Sequence, residues 1–210
     1  MNPITSVIPE HRARSERPAG AAAIIASAGG IPALIALLQS LQSAFPLPIV
    51  VVQHLPRFES RLDAVLSRHS ALHVSWAAEG ARPQAGGVYL APPRMRLAVT
   101  AAGFALSPLS QSASSWLGCG DHLIESLVAL YGSRTIGVVL SGALPAGIAG
   151  LRTISACGGY IMAQDRSSSG WFDMPAAAID FGKADIVLPP QRLAMALNII
   201  AGSWREEATP

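Results

Sequence analysis

A short apolar run that ends in a serine and two glycines is the feature that most constrains the fold of this chain. The run at 22–26 leads into Ser27, and Gly29 and Gly30 then allow the backbone to turn sharply. Pro32 suits the first turn of a helix, so the stretch predicts a strand, a tight turn and a helix. Ser27 then lies at the carboxyl end of a strand, where open α/β sheets bind their ligands. Taken alone, the stretch is compatible with a nucleophilic serine and with a turn that only caps the helix.

Apolar strands alternate with helical patterns along the rest of the chain. Further short apolar runs are typical of strands buried in a sheet: 49–52, 74–77, 87–91, 136–140, 160–163 and 186–188. Helices are predicted at 32–44, 60–68, 121–130, 148–157, from Pro175 onward, and at 191–200. This alternation predicts a doubly wound, mostly parallel α/β sheet with helices on both faces. A small β-hairpin is expected near 96–106.

Length and composition indicate one packed domain. The chain has 210 residues, of which 50% are hydrophobic and 13% charged, a composition that favours a folded core over disorder. We predict a disordered tail at 1–19, a single domain at 20–202 and a C-terminal tail at 203–210. The first of these tails holds prolines and charged residues without any periodicity.

Several classes of function are disfavoured by the sequence. No apolar run reaches the ~18 residues of a membrane span and no signal peptide is recognisable, so a cytoplasmic protein without membrane insertion is expected. A formal net charge of +2 does not favour binding to nucleic acid. Cys119 and Cys157 are too few for a disulfide framework or a zinc site. His69, His73 and His122 lack the spacing of metal ligands and no dinucleotide or phosphate-loop motif occurs, so neither a metal nor a cofactor is expected.

A serine and a histidine follow two of the predicted strands. Ser27 follows the strand at 22–26, and His54 lies just beyond the strand at 49–52. Side chains past the ends of parallel strands can meet above the sheet, where His54 could take the hydroxyl proton and backbone amides could bind an oxyanion. The pair favours a serine hydrolase, although a lone histidine at a strand end is more often structural. Asp121 is expected to be a helix N-cap rather than an acid catalyst.

Five segments, taken together, resemble one protein family. The segments are 26–30, 51–56, 89–92, 139–142 and 174–179. In order and spacing they are similar to the chemotaxis protein-glutamate methylesterases, the CheB family, and the likeness is collinear from about 22 to 200. Members of that family hydrolyse methyl esters of glutamate side chains on chemoreceptors, and many also deamidate glutamine there. The resemblance therefore implies a methylated chemoreceptor-like protein as the substrate.

The resemblance also implies roles for particular residues. It makes Ser27 the nucleophile and His54 the general base, in acyl chemistry that uses neither metal nor cofactor. It places the oxyanion amides in the Ala28 region and at Ala143, and Met174 is expected at the rim of the site. It further implies that the receiver domain that usually gates the site is absent, so that a separate receiver-domain partner is a candidate regulator.

The sequence departs from the family pattern at several positions, among them the third loop and the segment before 121. The family's third loop reads Leu-Thr-Gly-Met-Gly-x-Asp-Gly and its aspartate orients the histidine, but the aligned segment 140–147 has Ala146 in the aspartate's place. Asp173 and Asp165 are candidate replacements, although each is more typical of a solvated loop. Trp116-Leu117-Gly118 stands where the family has His-Arg-Pro, and this puts Trp116 at the rim of the site.

The missing acid predicts weak catalysis, because losing the acid alone lowers turnover by ~10⁴-fold in other serine hydrolases. We therefore expect a weakened serine hydrolase of the methylesterase type. One alternative is a catalytically degenerate binding or regulatory module on the same fold. Another is an esterase for a different, smaller ester, since the loop around Trp116 has diverged.

Overall fold

The structure is a computed structural model that describes residues 19–55, 60–110 and 116–208. The predicted tail at 1–19 therefore lies, except for its last residue, outside the described residues. Within the described ranges, no helix is both long enough and apolar enough to cross a membrane.

The described chain forms one large sheet and one separate hairpin. Its strands, in chain order, are β1 (Ala21–Ala26), β2 (Ile49–Gln53), β3 (His73–Trp76), β4 (Gly87–Leu90), β5 (Met95–Thr100), β6 (Gly103–Pro108), β7 (Thr135–Val139), β8 (Tyr160–Gln164) and β9 (Ile186–Leu188). The large sheet has seven strands in the order β3-β4-β2-β1-β7-β8-β9, and every neighbouring pair in it is parallel. The hairpin pairs β5 with β6 antiparallel. The predicted fold class and the predicted hairpin are confirmed.

Helices cover both faces of the sheet. They are α1 (Gly30–Leu38), α2 (Leu62–Ser67), α3 (Cys119–Tyr131), α4 (Ile148–Cys157), α5 (Asp173–Asp180) and α6 (Pro190–Ala208), with a 3-10 turn at Gly132–Arg134. Ile24 of β1 packs into one core with residues of α1, α2 and α6. Its neighbour Ile25 points the other way, into a core with residues of α3, α4, α5 and the hairpin. Each fully buried aliphatic side chain contributes about 1.5–3 kcal/mol, so the two cores together hold β1 firmly in the centre of the sheet.

The strand register brings distant parts of the chain to one edge. Ala26 of β1 pairs with Gln53 of β2, so Ser27 and His54 emerge next to each other at the carboxyl end of the sheet. β7 pairs with β1 on its other side, and the loop after β7 therefore begins at the same edge. Parallel pairing thus gathers three loops around Ser27.

The first helix is displaced from its predicted position. The sequence pattern predicts a helix at 32–44, but α1 begins at Gly30 and ends at Leu38. The hydroxyl of Ser40 donates to the carbonyl of Ala36, and such a side-chain bond competes with continued helical bonding of the backbone.

The last helix is longer than predicted. α6 runs to Ala208, so most of the segment from 203 onward, which we expected to be a tail, is helical. Trp204 is buried in the core that contains Ile24. The Arg134 guanidinium donates to the Trp204 carbonyl at 3.0 Å and also binds the Glu207 carboxylate at 3.0 Å. A large buried indole and these contacts hold the extra turns against the domain.

Asp121 caps a different helix from the one predicted. The residue that precedes α3 is Gly118, and the Oδ1 of Asp121 accepts the N–H of Gly150 at 2.8 Å, in the first turn of α4. A carboxylate at this position satisfies a free amide and interacts favourably with the helix dipole. The N-cap prediction for α3 is therefore wrong, and Asp121 instead ties α3 to α4.

Candidate active site

Ser27 lies immediately after the central strand β1 and is held through its backbone. Its N–H donates to the Ser141 carbonyl, and its carbonyl accepts the Gly30 N–H, both at 2.9 Å. The same carbonyl accepts the Nε2 of Gln53 at 2.9 Å. Gly29 makes the following turn with a φ of 70°, a left-handed conformation that favours glycine. The nucleophile candidate is therefore fixed at the sheet edge before any side-chain contact is considered.

His54 is the side chain that meets the Ser27 hydroxyl. Its N–H donates to the Ala26 carbonyl at 3.0 Å, which continues the β1–β2 pairing past the end of the strands. Its Nδ1 lies 3.5 Å from the Oγ of Ser27. This is long for a hydrogen bond, as is common for catalytic pairs that tighten only when substrate binds. With Nδ1 unprotonated, the imidazole can accept the proton of the Ser27 hydroxyl.

Gln53 joins the nucleophile and the base through one amide group. Its Nε2 donates to the carbonyls of Ser27 and His54, both at 2.9 Å. The side chain is buried, and its Oε1 has no partner in the described part of the chain. A single buried NH₂ group thus fixes the spacing of the two backbone segments that carry the candidate site. The sequence analysis missed Gln53; its signal is a polar residue at the end of a strand that is otherwise wholly apolar.

The indole of Trp116 covers one face of the His54 ring. The ring centroids are 4.0 Å apart and the ring planes differ by only 4°. Trp116 itself is partly buried and packs against the core that contains Ile25. Burial lowers the pKa of His54 below its ordinary value of 6.5, because a low-dielectric surrounding disfavours the charged imidazolium. The ring is therefore neutral, and able to accept a proton, at neutral pH.

Ser141 ties together the loops that follow β1, β7 and β8 at this edge of the sheet. Its hydroxyl donates to the Ala28 carbonyl at 2.7 Å and accepts the Trp171 N–H at 2.9 Å. Its N–H donates to the Oε1 of Gln164 at 2.8 Å. Because Ser141 is fully buried, these bonds hold the loops after β1, β7 and β8 in fixed relative positions.

Two backbone amides, in the loops that follow β1 and β7, make no hydrogen bond within the described part of the chain. Among the described residues, the N–H groups of Ala28 and Ala143 have no hydrogen-bond acceptor. Ala28 precedes the N-terminus of α1, whose partial positive charge favours a developing negative charge. Ala143 follows Gly142, whose carbonyl accepts the Met174 N–H at 2.9 Å. These amides are suitable donors for an oxyanion.

A comparison with protein-family models decides which family this site belongs to. The model described as CheB methylesterase matches residues 22–197. The chain belongs to this family. The resemblance inferred from the five sequence segments is confirmed, and so is the extent over which it was expected to run.

Individual CheB-type proteins are similar in both sequence and structure. The chain is 38% identical over 185 residues to protein-glutamate methylesterase/protein-glutamine glutaminase 3 of Paramagnetospirillum magneticum, which covers 88% of this chain and 52% of the relative. It is 36% identical over 182 residues to protein-glutamate methylesterase/protein-glutamine glutaminase 1 of Carboxydothermus hydrogenoformans, covering 83% of this chain and 54% of that one. The chain thus spans about half the length of the curated relatives it matches. The crystal structure of the Thermotoga maritima CheB methylesterase catalytic domain matches with a TM-score of 0.81 and 31% identity, over 86% of this chain and 98% of that chain.

The third loop of this CheB-family chain presents alanine where we expect the family's acid. Ala146 is 5% exposed and packs in the same apolar core as Ile25 and Cys119. Its neighbour Leu144 is half exposed. A methyl group in an apolar core can neither orient an imidazole by hydrogen bonding nor stabilise its charge.

The two candidate replacement acids are not brought to His54. Asp165 accepts hydrogen bonds from Ser167 and Ser168 within its own loop. Burial disfavours its charge, but these hydrogen bonds outweigh the burial and hold the pKa of Asp165 below its ordinary value. Asp173 is exposed in the first turn of α5. No hydrogen bond joins either carboxylate to His54 within the part of the chain that the structure describes.

Met174 and the other histidines lie outside the reacting group of side chains. Met174 is fully buried, and a Cβ placed on Gly142 would lie 2.6 Å from its Cε, so it packs directly under the third loop. His69 is hydrogen-bonded to Gln39 at 3.0 Å. The described residues contain no group of three or more His, Cys, Asp or Glu side chains that could hold a metal ion.

Proposed function

We propose that this chain is a serine hydrolase of the protein-glutamate methylesterase type, acting on a methylated chemoreceptor-like protein. The observation that carries the proposal is the approach of Ser27 Oγ to His54 Nδ1 at 3.5 Å. The names of the relatives describe the reaction, which is removal of methyl groups from glutamyl esters and of ammonia from glutamine. A cytoplasmic location and regulation by a separate receiver-domain protein are predictions that accompany this proposal.

The proposed reaction follows from the side chains at the sheet edge. His54 takes the Ser27 proton as Oγ attacks the ester carbonyl carbon, and the resulting oxyanion is bound by the amides of Ala28 and Ala143. The tetrahedral intermediate expels methanol (or ammonia from glutamine), which receives its proton from the His54 imidazolium. Water, deprotonated by the same imidazole, then hydrolyses the acyl-enzyme and releases the free glutamate carboxylate.

The proposed enzyme is slow, because no acid is assigned to its third position. Ala146 cannot stabilise the imidazolium that forms when His54 accepts the serine proton. In serine hydrolases generally, losing that acid lowers turnover by ~10⁴-fold, or roughly 5–6 kcal/mol of barrier. The remaining acceleration comes from the nucleophile, the base and the oxyanion amides.

A binding module on the same fold is the second candidate function. It is favoured by one observation, that within the described residues no carboxylate is hydrogen-bonded to His54. Such a module would dock on a chemoreceptor-like protein without turning it over. The two functions differ in whether Ser27 is reactive.

Reaction with a fluorophosphonate probe distinguishes the two functions. We expect slow labelling of the folded protein that is lost in Ser27→Ala and retained in Ser203→Ala, a serine on α6 whose hydroxyl bonds only to its own helix. After labelling, only the protein that the probe has not modified should remain active. The activity is measured as methanol released from a receptor fragment that carries glutamyl methyl esters. Folded protein that resists the probe and yet binds the receptor fragment would favour the binding module. Probe reactivity with cleavage of small esters alone would point to a different ester substrate.

A further inference from the structure

We propose that Trp116 is a positioning residue for His54. The indole ring of Trp116 holds the imidazole in the plane in which Nδ1 is directed at the Ser27 hydroxyl. This inference rests on the proposed function and assigns the task of orienting the base, which Ser-His-acid sites give to the acid. Trp116 stands where the family resemblance places a histidine.

The stacking geometry restricts rotation of the imidazole. The torsion that turns a histidine ring about its Cβ–Cγ bond has a broad, shallow energy profile, so an unheld ring samples many orientations. At 4.0 Å between centroids and 4° between planes, the indole blocks rotation of the His54 ring out of the shared plane. A ring turned edge-on would collide with the indole face and would carry Nδ1 away from the Ser27 Oγ. The stack therefore keeps the ring in the plane in which Nδ1 lies 3.5 Å from Oγ. A half-turn of the ring preserves that plane, and the contact of Nδ1 with the Ser27 hydroxyl distinguishes the two half-turns.

Trp116 is itself held in a fixed position against the His54 ring. Its carbonyl accepts the N–H of Cys119 at 3.0 Å, which joins it to the first turn of α3. Its side chain packs against the core formed by α3, α4 and the hairpin. His54 in turn is anchored by the Gln53 amide on its carbonyl and by the Ala26 carbonyl on its N–H. Both partners of the stack are thus fixed at the backbone.

The environment of the ring agrees with an orienting role that uses packing rather than charge. Burial is the cause of the lowered pKa of His54, with no contribution from a charged side chain of the described residues. The groups that face the imidazole are the Ser27 hydroxyl at Nδ1 and the Trp116 indole on the ring face. Packing fixes the ring plane but not the tautomer, so it replaces only part of what an acid supplies.

The test compares Trp116→Ala with Trp116→Phe, which keeps a flat aromatic face. Trp76→Ala is the matched control, because Trp76 is also a partly buried tryptophan but lies at the end of β3 and packs in the other core. Two quantities are measured on the folded proteins: the rate of fluorophosphonate labelling at about pH 8, where the imidazole is neutral in every variant, and the pKa of His54 from an NMR titration of its ring.

We expect Trp116→Ala to slow labelling by about two- to tenfold, the range that follows from the usual strength of an aromatic pair. The same variant should raise the His54 pKa toward 6.5, since one face of the ring becomes hydrated. Trp116→Phe should keep most of the rate and most of the pKa shift. Trp76→Ala should change neither quantity, even where it lowers the melting temperature.

Two results would overturn the proposal while leaving the proposed function intact. One is a Trp116→Ala protein that labels at the parental rate with an unchanged His54 pKa. The other is a Trp116→Phe protein that is as slow as Trp116→Ala, which would assign the effect to lost volume rather than to the aromatic face. If Ser27 does not react with the probe in the parental protein, the proposed function fails instead. The NMR spectra then test the stack directly: His54 ring protons that show the same ring-current shift in Trp116→Ala as in the parental protein would reject the stacked geometry on which the positioning role rests.

Discussion

The edge formed by β1 and β2 and the loop that follows β7 contribute very differently to the same site. At the β1–β2 edge, Ser27 and His54 follow strand residues that pair directly, and the Gln53 amide bonds to both of their carbonyls. The loop after β7 is equally well tied to the sheet by the buried Ser141, yet its residue at 146 is alanine.

The two regions position their residues in different ways. The positions of the nucleophile and the base follow from strand register, which the buried cores on both faces enforce. The position of residue 146, by contrast, follows from the path of a loop. The side chain of Ala146 is buried in the apolar core that contains Ile25.

The largest effect is expected from returning an acid to the third loop. Ala146→Asp should raise the labelling rate of Ser27 by ~10²- to 10⁴-fold, since a carboxylate that reaches His54 restores the orienting and charge-stabilising role. The melting temperature should fall, because the carboxylate replaces a buried methyl group. Ala146→Asn is the control without charge. Equal labelling rates for the Asp and Asn variants would show that position 146 does not face the base.

A smaller loss is expected at the β1–β2 edge. Gln53→Met keeps the length of the side chain but removes the amide that bonds to the Ser27 and His54 carbonyls. We expect about a tenfold lower labelling rate, and a free energy of unfolding lower by about 2 kcal/mol because buried carbonyls lose their donor. Gln39→Met, at an exposed position after α1, is the matched control. Indistinguishable labelling rates for the two variants would remove Gln53 from the account.

The pH dependence of the reaction should report the environment of His54. The neutral imidazole is the base and its pKa is lowered, so the labelling rate should fall as the pH is reduced, with a midpoint below 6.5. Stability follows the same direction. The folded state binds the His54 proton less tightly than the unfolded chain, so this contribution is present above pH 6.5 and is lost as the pH falls. A rate midpoint above 6.5 would contradict the lowered pKa of the partly covered, stacked ring.

The smallest effect is expected for the exposed aspartate of α5. Asp173→Asn should leave the labelling rate of Ser27 unchanged to within about twofold, because Asp173 is not hydrogen-bonded to His54 among the described residues. The measurement is the same probe reaction at neutral pH. A loss comparable to that of Ser27→Ala would identify Asp173 as the replacement acid and overturn this account of the third loop.

Ser27 and His54 could be proposed from the sequence because each follows an apolar strand, and the end of such a strand can be predicted from the pattern of apolar residues. The sequence analysis missed Gln53, because nothing in one strand shows that its last side chain reaches across to the next. The stack of His54 on Trp116 joins residues far apart in the chain and depends on loop geometry. For the same reason, Asp121 was predicted to cap its own helix α3, whereas the N–H group that donates to its carboxylate belongs to Gly150 in α4. The predicted ends of two helices were also wrong, because side-chain contacts determine where these helices end: the Ser40 contact for α1 and the Trp204 contacts for α6.

The central claim is that Ser27 and His54 act as one unit, and a double-mutant cycle tests it most directly. The measured quantity is methanol release from a receptor fragment with glutamyl methyl esters, by the parental protein, Ser27→Ala, His54→Ala and the double variant. Groups that act together lose nearly all activity when either is removed, so we predict that the double variant is no slower than Ser27→Ala alone. Losses that simply multiply in the double variant, or an unaffected His54→Ala, would contradict the claim.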